Sequence, residues 1–136
     1  MTLRFTATGA TKFAPGPYQG VLVKIEKKYK LVEKDGQKEE RPYHRWIFEV
    51  LTEGYEGMTL SVLTSTSFGV GPAGPAKGRR YAEVILGREL ETGEQFTPED
   101  LYNKPVTLHI DNETTGRGTF ARIIELTPAS RADEAA

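Results

Sequence analysis

Cysteine is absent from the 136-residue chain. That removes disulfide frameworks, thiolate zinc sites and cysteine nucleophiles together, and it suits a reducing compartment. Long apolar runs are absent too: no stretch approaches the roughly 18 residues that identify a membrane-spanning helix. The opening residues, Met1-Thr2-Leu3-Arg4-Phe5-Thr6-Ala7-Thr8, lack the apolar core of an export signal. A cytoplasmic protein without membrane attachment is therefore expected. Asn112-Glu113-Thr114 matches the glycosylation sequon and, without an export signal, reads as coincidence. Histidine is scarce: there are 2, His44 and His109, both in strand-like stretches where a packed or surface role is the ordinary one. No Cys/His spacing suggests a metal, and no cofactor or metal is expected. Finally, neither sign of charge is in surplus. The 18 Lys+Arg and 19 Asp+Glu leave a net charge of −1, which excludes a uniformly basic coat but not a local basic face.

What is present is the composition of one polar globular domain, 38% hydrophobic and 27% charged. A chain of this length buries roughly two-thirds of its unfolded surface, enough for a core without staples. Residues 1–17 read as an N-terminal arm ending in Pro15-Gly16-Pro17, residues 18–128 as the folded domain, and residues 129–136 as a short flexible tail.

Within the domain the hydrophobic period changes twice. Val21, Val23 and Ile25 alternate with Leu22, Lys24 and Glu26, and the alternation runs on to Leu31, which predicts a strand. Residues 33–42 are polar and charged, with Asp35-Gly36 as a turn signal, and read as the loop between the first two strands. Residues 43–51 form a second strand with Trp46, Phe48 and Val50 on the core face, and residues 58–68 a third. Gly69 to Gly78 is too rich in Gly and Pro for a regular element. From Lys77 the period becomes helical, with Tyr81, Val84, Ile85 and Arg88 on one stripe. Thr97-Pro98-Glu99-Asp100 has the pattern of a short helix start. Val106, Leu108 and Ile110 give a fourth strand, residues 111–118 a polar turn, and Phe120 to Leu126 a fifth strand.

The order β-β-β-α-β-β predicts an all-β class with one helix. Its expected form is an OB-fold, a five-stranded Greek-key barrel whose strand 2–3 face and joining loops bind oligonucleotides or oligosaccharides.

Enzyme patterns fail one by one. The Gly-rich loop lacks the Gly-Lys-Ser/Thr ending of a phosphate cradle, because Gly74 is followed by Pro75 and Lys77 by Gly78. Glu39 and Glu40 sit beside cations as ordinary solvated charge. No catalytic residue is assigned. Charge position is more informative: residues 1–88 carry +5 and residues 89–136 carry −6. Such a split between halves points toward nucleic acid. The cations interleave with aromatics, as single-strand binders require: cations follow phosphates while aromatic faces stack bases. The candidate contacts are Lys28, Tyr29, Lys30, Arg41, Tyr43, Arg45, Phe68, Lys77, Arg79, Arg80 and Arg117. Plainer readings stand beside these. Tyr29 and Tyr43 also suit cross-strand packing, the lysine run a solvated face, and Arg79-Arg80 an exposed helix face.

Phe13-Ala14-Pro15-Gly16-Pro17-Tyr18-Gln19-Gly20-Val21 resembles the Pro-Gly-x-Tyr entry of small phage-encoded OB-fold proteins. Trp46-Ile47-Phe48-Glu49-Val50 with Glu56-Gly57-Met58-Thr59-Leu60 is similar to their second and third strands. Thr64-Ser65-Thr66-Ser67-Phe68 and Ala82-Glu83-Val84-Ile85-Leu86-Gly87 resemble the loop and helix that follow, and Leu101-Tyr102-Asn103-Lys104-Pro105-Val106 the entry to the fourth strand. The likeness spans Phe13 to Pro128 and consists of turns and core residues. It implies a single-stranded DNA-binding protein of phage replication or recombination, in the host cytoplasm. The acidic tail common in such proteins is reduced here to Asp133 and Glu134, which weakens the case for recruiting replication or recombination proteins through it. The expected function is non-catalytic binding of single-stranded DNA with low sequence specificity. The alternative is an OB-like protein-interaction module of phage origin. Homo-oligomerisation through an edge strand is open on either reading.

Overall fold

The computed structural model describes residues 13–129. Residues 1–12 of the expected arm and 130–136 of the expected tail lie outside the described residues. The elements are β1 (Gly16–Lys34), β2 (Gln37–Val50), β3 (Thr59–Thr64), the two-residue strands β4 (Val70–Gly71) and β5 (Gly74–Pro75), α1 (Lys77–Leu86), a 3-10 turn at Pro98–Asp100, β6 (Pro105–Thr115) and β7 (Gly118–Pro128).

All long strands lie in one antiparallel five-stranded sheet of order β3-β2-β1-β6-β7. β1 is its spine. Gly16 to Val21 pair with β6, and Gly20 to Lys34 pair with β2. Gly20 stands where both ladders meet. A Cβ there would lie 2.7 Å from Leu108 Cδ1 and 2.9 Å from the Glu49 carbonyl, so only glycine lets the strands approach.

The barrel expectation is corrected. No ladder joins β3 to β7 among the described residues, so the sheet stays open. β3 is short, and where closure would occur there is a hollow of about 270 Å3 lined by Ser61, Val62, Leu63, Lys77, Arg122 and Ile123. Element order specifies which strands exist. It does not specify the tilt and stagger that closure demands.

The core fills the inner face of the sheet. Leu22, Trp46, Phe48, Val50, Val106, Leu108 and Leu126 are buried there, with Trp46, Phe48 and Val50 on the face that their alternation indicates. Two bulges shift the pattern. Val23 is an extra residue opposite β2, which brings Leu22 and Ile25 to the same face rather than Val23 and Ile25. Ile124 is extra opposite β6, so Ile123 and Leu126 both point inward while Ile124 is exposed.

α1 packs against β6 and β7. Its inner stripe is Gly78, Tyr81, Ala82 and Ile85. Val84 flanks that stripe, and Arg88 lies beyond the helix end at Gly87, which takes the left-handed conformation at φ 74. The described end of the expected arm is built into the fold. Phe13 is buried, stacked on Tyr55 with ring centroids 5.1 Å apart, and Gly16 and Pro17 already pair with β6.

The expected loop at residues 33–42 is also corrected. β1 and β2 run on to a two-residue turn at Asp35-Gly36, whose φ values of 54 and 77 are those of a tight hairpin. β6 and β7 likewise continue through the expected polar turn to Gly116-Arg117. The third strand stops at Thr64 rather than Phe68.

Candidate nucleic-acid interface

Beyond Lys28 and Tyr43, β1 and β2 pair only with each other. Nearly every residue there is exposed on both faces, so the pair forms a two-stranded ribbon about 20 Å long at ~3.3 Å per residue. Register assigns its side chains. Opposite residues share a face and neighbours alternate. Glu26 faces Arg45, Lys28 faces Tyr43, and Lys30 faces Arg41. Lys28, Lys30, Arg41, Tyr43 and Arg45 therefore stand together on the outer face, away from Trp46. Lys34 shares that face near the tip.

At the root of this face is a shallow hollow of about 340 Å3 lined by Lys30, Arg41, Pro42, Tyr43, Leu63 and Thr64. Leu63 also lines the open seam between β3 and β7, where Lys77 and Arg122 project. Lys77 in turn borders a third hollow with Arg80. The three hollows thus form one track from Lys30 and Arg41, past Tyr43 and Leu63, to Lys77, Arg122 and Arg80.

The track concentrates positive charge, with Glu39 on the ribbon's outer face and Glu125 in the hollow of Arg80 as acids beside it. Lys30 and Arg41 are like charges placed directly opposite, an unfavourable cross-strand pair. Burial holds the Lys77 ammonium below its ordinary value, with Arg122 and Arg80 adding to the effect. Lys28, Lys30, Arg41, Lys77 and Arg80 form no ion pair among the described residues, while Arg45 meets Glu26 at 3.8 Å and Arg122 meets Glu113 at 3.1 Å. Those two pairs are exposed and of little energetic weight.

The other expected contacts lie elsewhere. Tyr29 points to the opposite face of the ribbon, with the Lys27 ammonium 5.8 Å from its ring centroid. Phe68 is packed at the edge of the core, 5.1 Å from Phe96 and 6.4 Å from Trp46 between centroids. Arg79 turns inward, donates to the Leu90 and Phe68 carbonyls and pairs with Glu83 at 3.7 Å, so it holds the helix to the chain that follows it. Arg117 occupies the β6–β7 turn, where its backbone N–H donates to Thr115 Oγ1.

Arg122 was not among the candidates. Its signal is the alternation of β7, which puts Ile123 inside and Arg122 outside, but only the approach of β7 to β3 shows what it joins.

No protein-family model matches this sequence, and no curated protein matches it significantly.

Proposed function

We propose that the protein binds single-stranded DNA without catalysis and with low sequence specificity, along the track from the ribbon's outer face to the β3–β7 seam. The observation that carries this reading is the succession of hollows: that of Lys30, Arg41 and Tyr43 shares Leu63 with the seam of Lys77 and Arg122, which shares Lys77 with the hollow of Arg80. A row of like charges costs stability in the free protein, and a polyanion offsets that cost. The hollows are shallow and suit a flexible strand, whose bases can splay onto Tyr43. Each stacked base contributes ~1–3 kcal/mol with little sequence preference. A role in phage replication or recombination follows from the resemblance of the turns and core residues quoted above.

The test is anisotropy of a labelled oligo-dT with wild type, Arg41→Ala and Lys77→Ala. Saturable binding that both variants weaken, with duplex bound less well, is the expected result. Equal affinity for duplex, or indifference to both substitutions, overturns the reading.

The alternative, a protein-interaction module, draws on the reverse face of the ribbon. There Tyr29 and Leu31 are 57% and 66% exposed. A Tyr29→Ser, Leu31→Ser variant that keeps oligonucleotide affinity but loses a protein partner would favour it.

A further inference from the structure

The reverse face of the ribbon root holds a different kind of space. A cavity of about 700 Å3 is lined by Ile25, Lys27, His44, Phe68, Phe96 and Pro98. Its volume lies within the ~300–1,000 Å3 of small-molecule sites. Phe68 and Phe96 meet edge to face at 5.1 Å, and the His44 ring lies 5.8 Å from Phe68, tilted by 40°. Aromatic rings thus border the space on more than one side.

The polar groups around it are of two kinds. Glu94 and Asp100 are already engaged. Glu94 is bound to Arg88 at 2.6 Å and accepts the Glu91 N–H, while Asp100 accepts the Thr97 N–H at 2.9 Å. These bonds brace the segment after α1 into a preformed wall. His44 Nδ1, by contrast, is buried with no hydrogen-bond partner, and Lys27 forms no ion pair among the described residues. Burial, with the Lys27 charge beside it, holds the His44 imidazole below its ordinary value. At neutral pH the ring is therefore uncharged, with one donor and one acceptor nitrogen. Buried polar atoms are rarely left unpaired, and Nδ1, closed off from the empty cavity, gains a partner when the ring turns toward an occupant.

The missing occupant is defined by three demands: a flat ring for the aromatic walls, a hydrogen-bonding edge for His44 Nδ1, and an anionic group for Lys27. We propose that this cavity takes one nucleotide, its base against the wall formed by Phe68, Phe96 and His44 and its phosphate on Lys27. Lys27 and His44 are directly opposite in register and face away from Lys28 and Tyr43. The site is thus separate from the track and goes beyond it. The nucleotide has two chemical sources, a free mononucleotide or an unstacked base of a bound strand.

The experiment follows the His44 ring signals of the full chain by NMR while deoxynucleoside monophosphates, deoxyribose 5-phosphate and a short oligonucleotide are added in turn. Shifts of His44 with the monophosphates identify a free nucleotide as ligand. Shifts with the oligonucleotide alone identify a base of the strand. No shift with either, or an equal shift with deoxyribose 5-phosphate, overturns the proposal. His44→Phe keeps the ring and removes the hydrogen bond, and Lys27→Gln removes an exposed charge. Each should weaken binding about tenfold, the value of one hydrogen bond or charge contact. In Arg41→Ala the monophosphate shifts should persist, which separates failure of this site from failure of the track.

Discussion

Trp46 is fully buried, yet its indole N–H has a partner. It donates to Thr64 Oγ1 at 2.8 Å, and the Thr64 hydroxyl donates in turn to the Ser65 carbonyl at 3.0 Å. The relay fastens β2 to the end of β3, beside the hollow where Tyr43 and Arg41 stand. Thr64→Val keeps the volume and removes the acceptor, leaving the indole N–H unsatisfied. Urea denaturation should show a loss of about 1–3 kcal/mol, the cost of one unpaired buried donor. Thr64→Ser keeps the oxygen and should lose less. An unchanged Thr64→Val would show that the hydrogen bond has no energetic weight.

At the scale of elements, the ribbon depends on its turn. Asp35 and Gly36 both have positive φ, and nothing lies within 4 Å of a Cβ built at Gly36, so a substitution there meets backbone strain alone. Gly36→Ala should cost about 1 kcal/mol, the left-handed penalty of an L-residue. Because the ribbon has no core beneath it, the loss should appear as faster amide exchange over residues 29–41 with the base of β1 unaffected. Exchange that rises equally at residues 20–24 would show that the ribbon and the body open together. The same absence of a core explains why this segment was illegible in the sequence. Val21 to Ile25 and Trp46 to Val50 announce themselves through one apolar face. Glu33 to Arg41 are solvated on both faces and carry no period, so the turn signal of Asp35-Gly36 is legible but the strands that run up to it are not. The bulges at Val23 and Ile124 were hidden for another reason: each is defined only against a partner strand. The site follows the same division. Lys30, Arg41, Tyr43 and Arg45 could be suspected from type, but Tyr29 left them and Arg122 joined them through register and long-range approach.

Over the whole molecule, near-neutrality conceals a separation by side. Lys28, Lys30, Lys34, Arg41 and Arg45 outweigh Glu26 and Glu39 on the outer face of the ribbon, whereas on its reverse face Lys27 and Lys38 are matched by Glu33 and Glu40, with Glu94 and Asp100 in the segment beneath. Residues 1–88 carry +5 and the remainder −6, with Arg122 crossing from the acidic part to the basic track. A strand lying on the track should displace its counterions there. Log K should then fall linearly with log salt, with a slope of about −0.7 for each phosphate neutralised, and Arg41→Ala should reduce that slope by about one contact. A salt-independent affinity would place the contact away from these cations.

The central position of β1 also bears on how the chain reaches this state. Gly16 pairs with Ile110 and Val21 with Pro105, whereas the β1–β2 and β6–β7 ladders join neighbours in sequence. The two hairpins are local and fast to form, and the ladder between them closes the longest loop in the sheet. During synthesis the start of the first strand, Gly16 to Val21, must wait for its partner until the fourth long strand has left the ribosome. The joining of two finished hairpins is therefore the step expected to limit the folding rate. A substitution at Leu108, where they meet, should slow refolding in stopped-flow measurements more than any change in the ribbon.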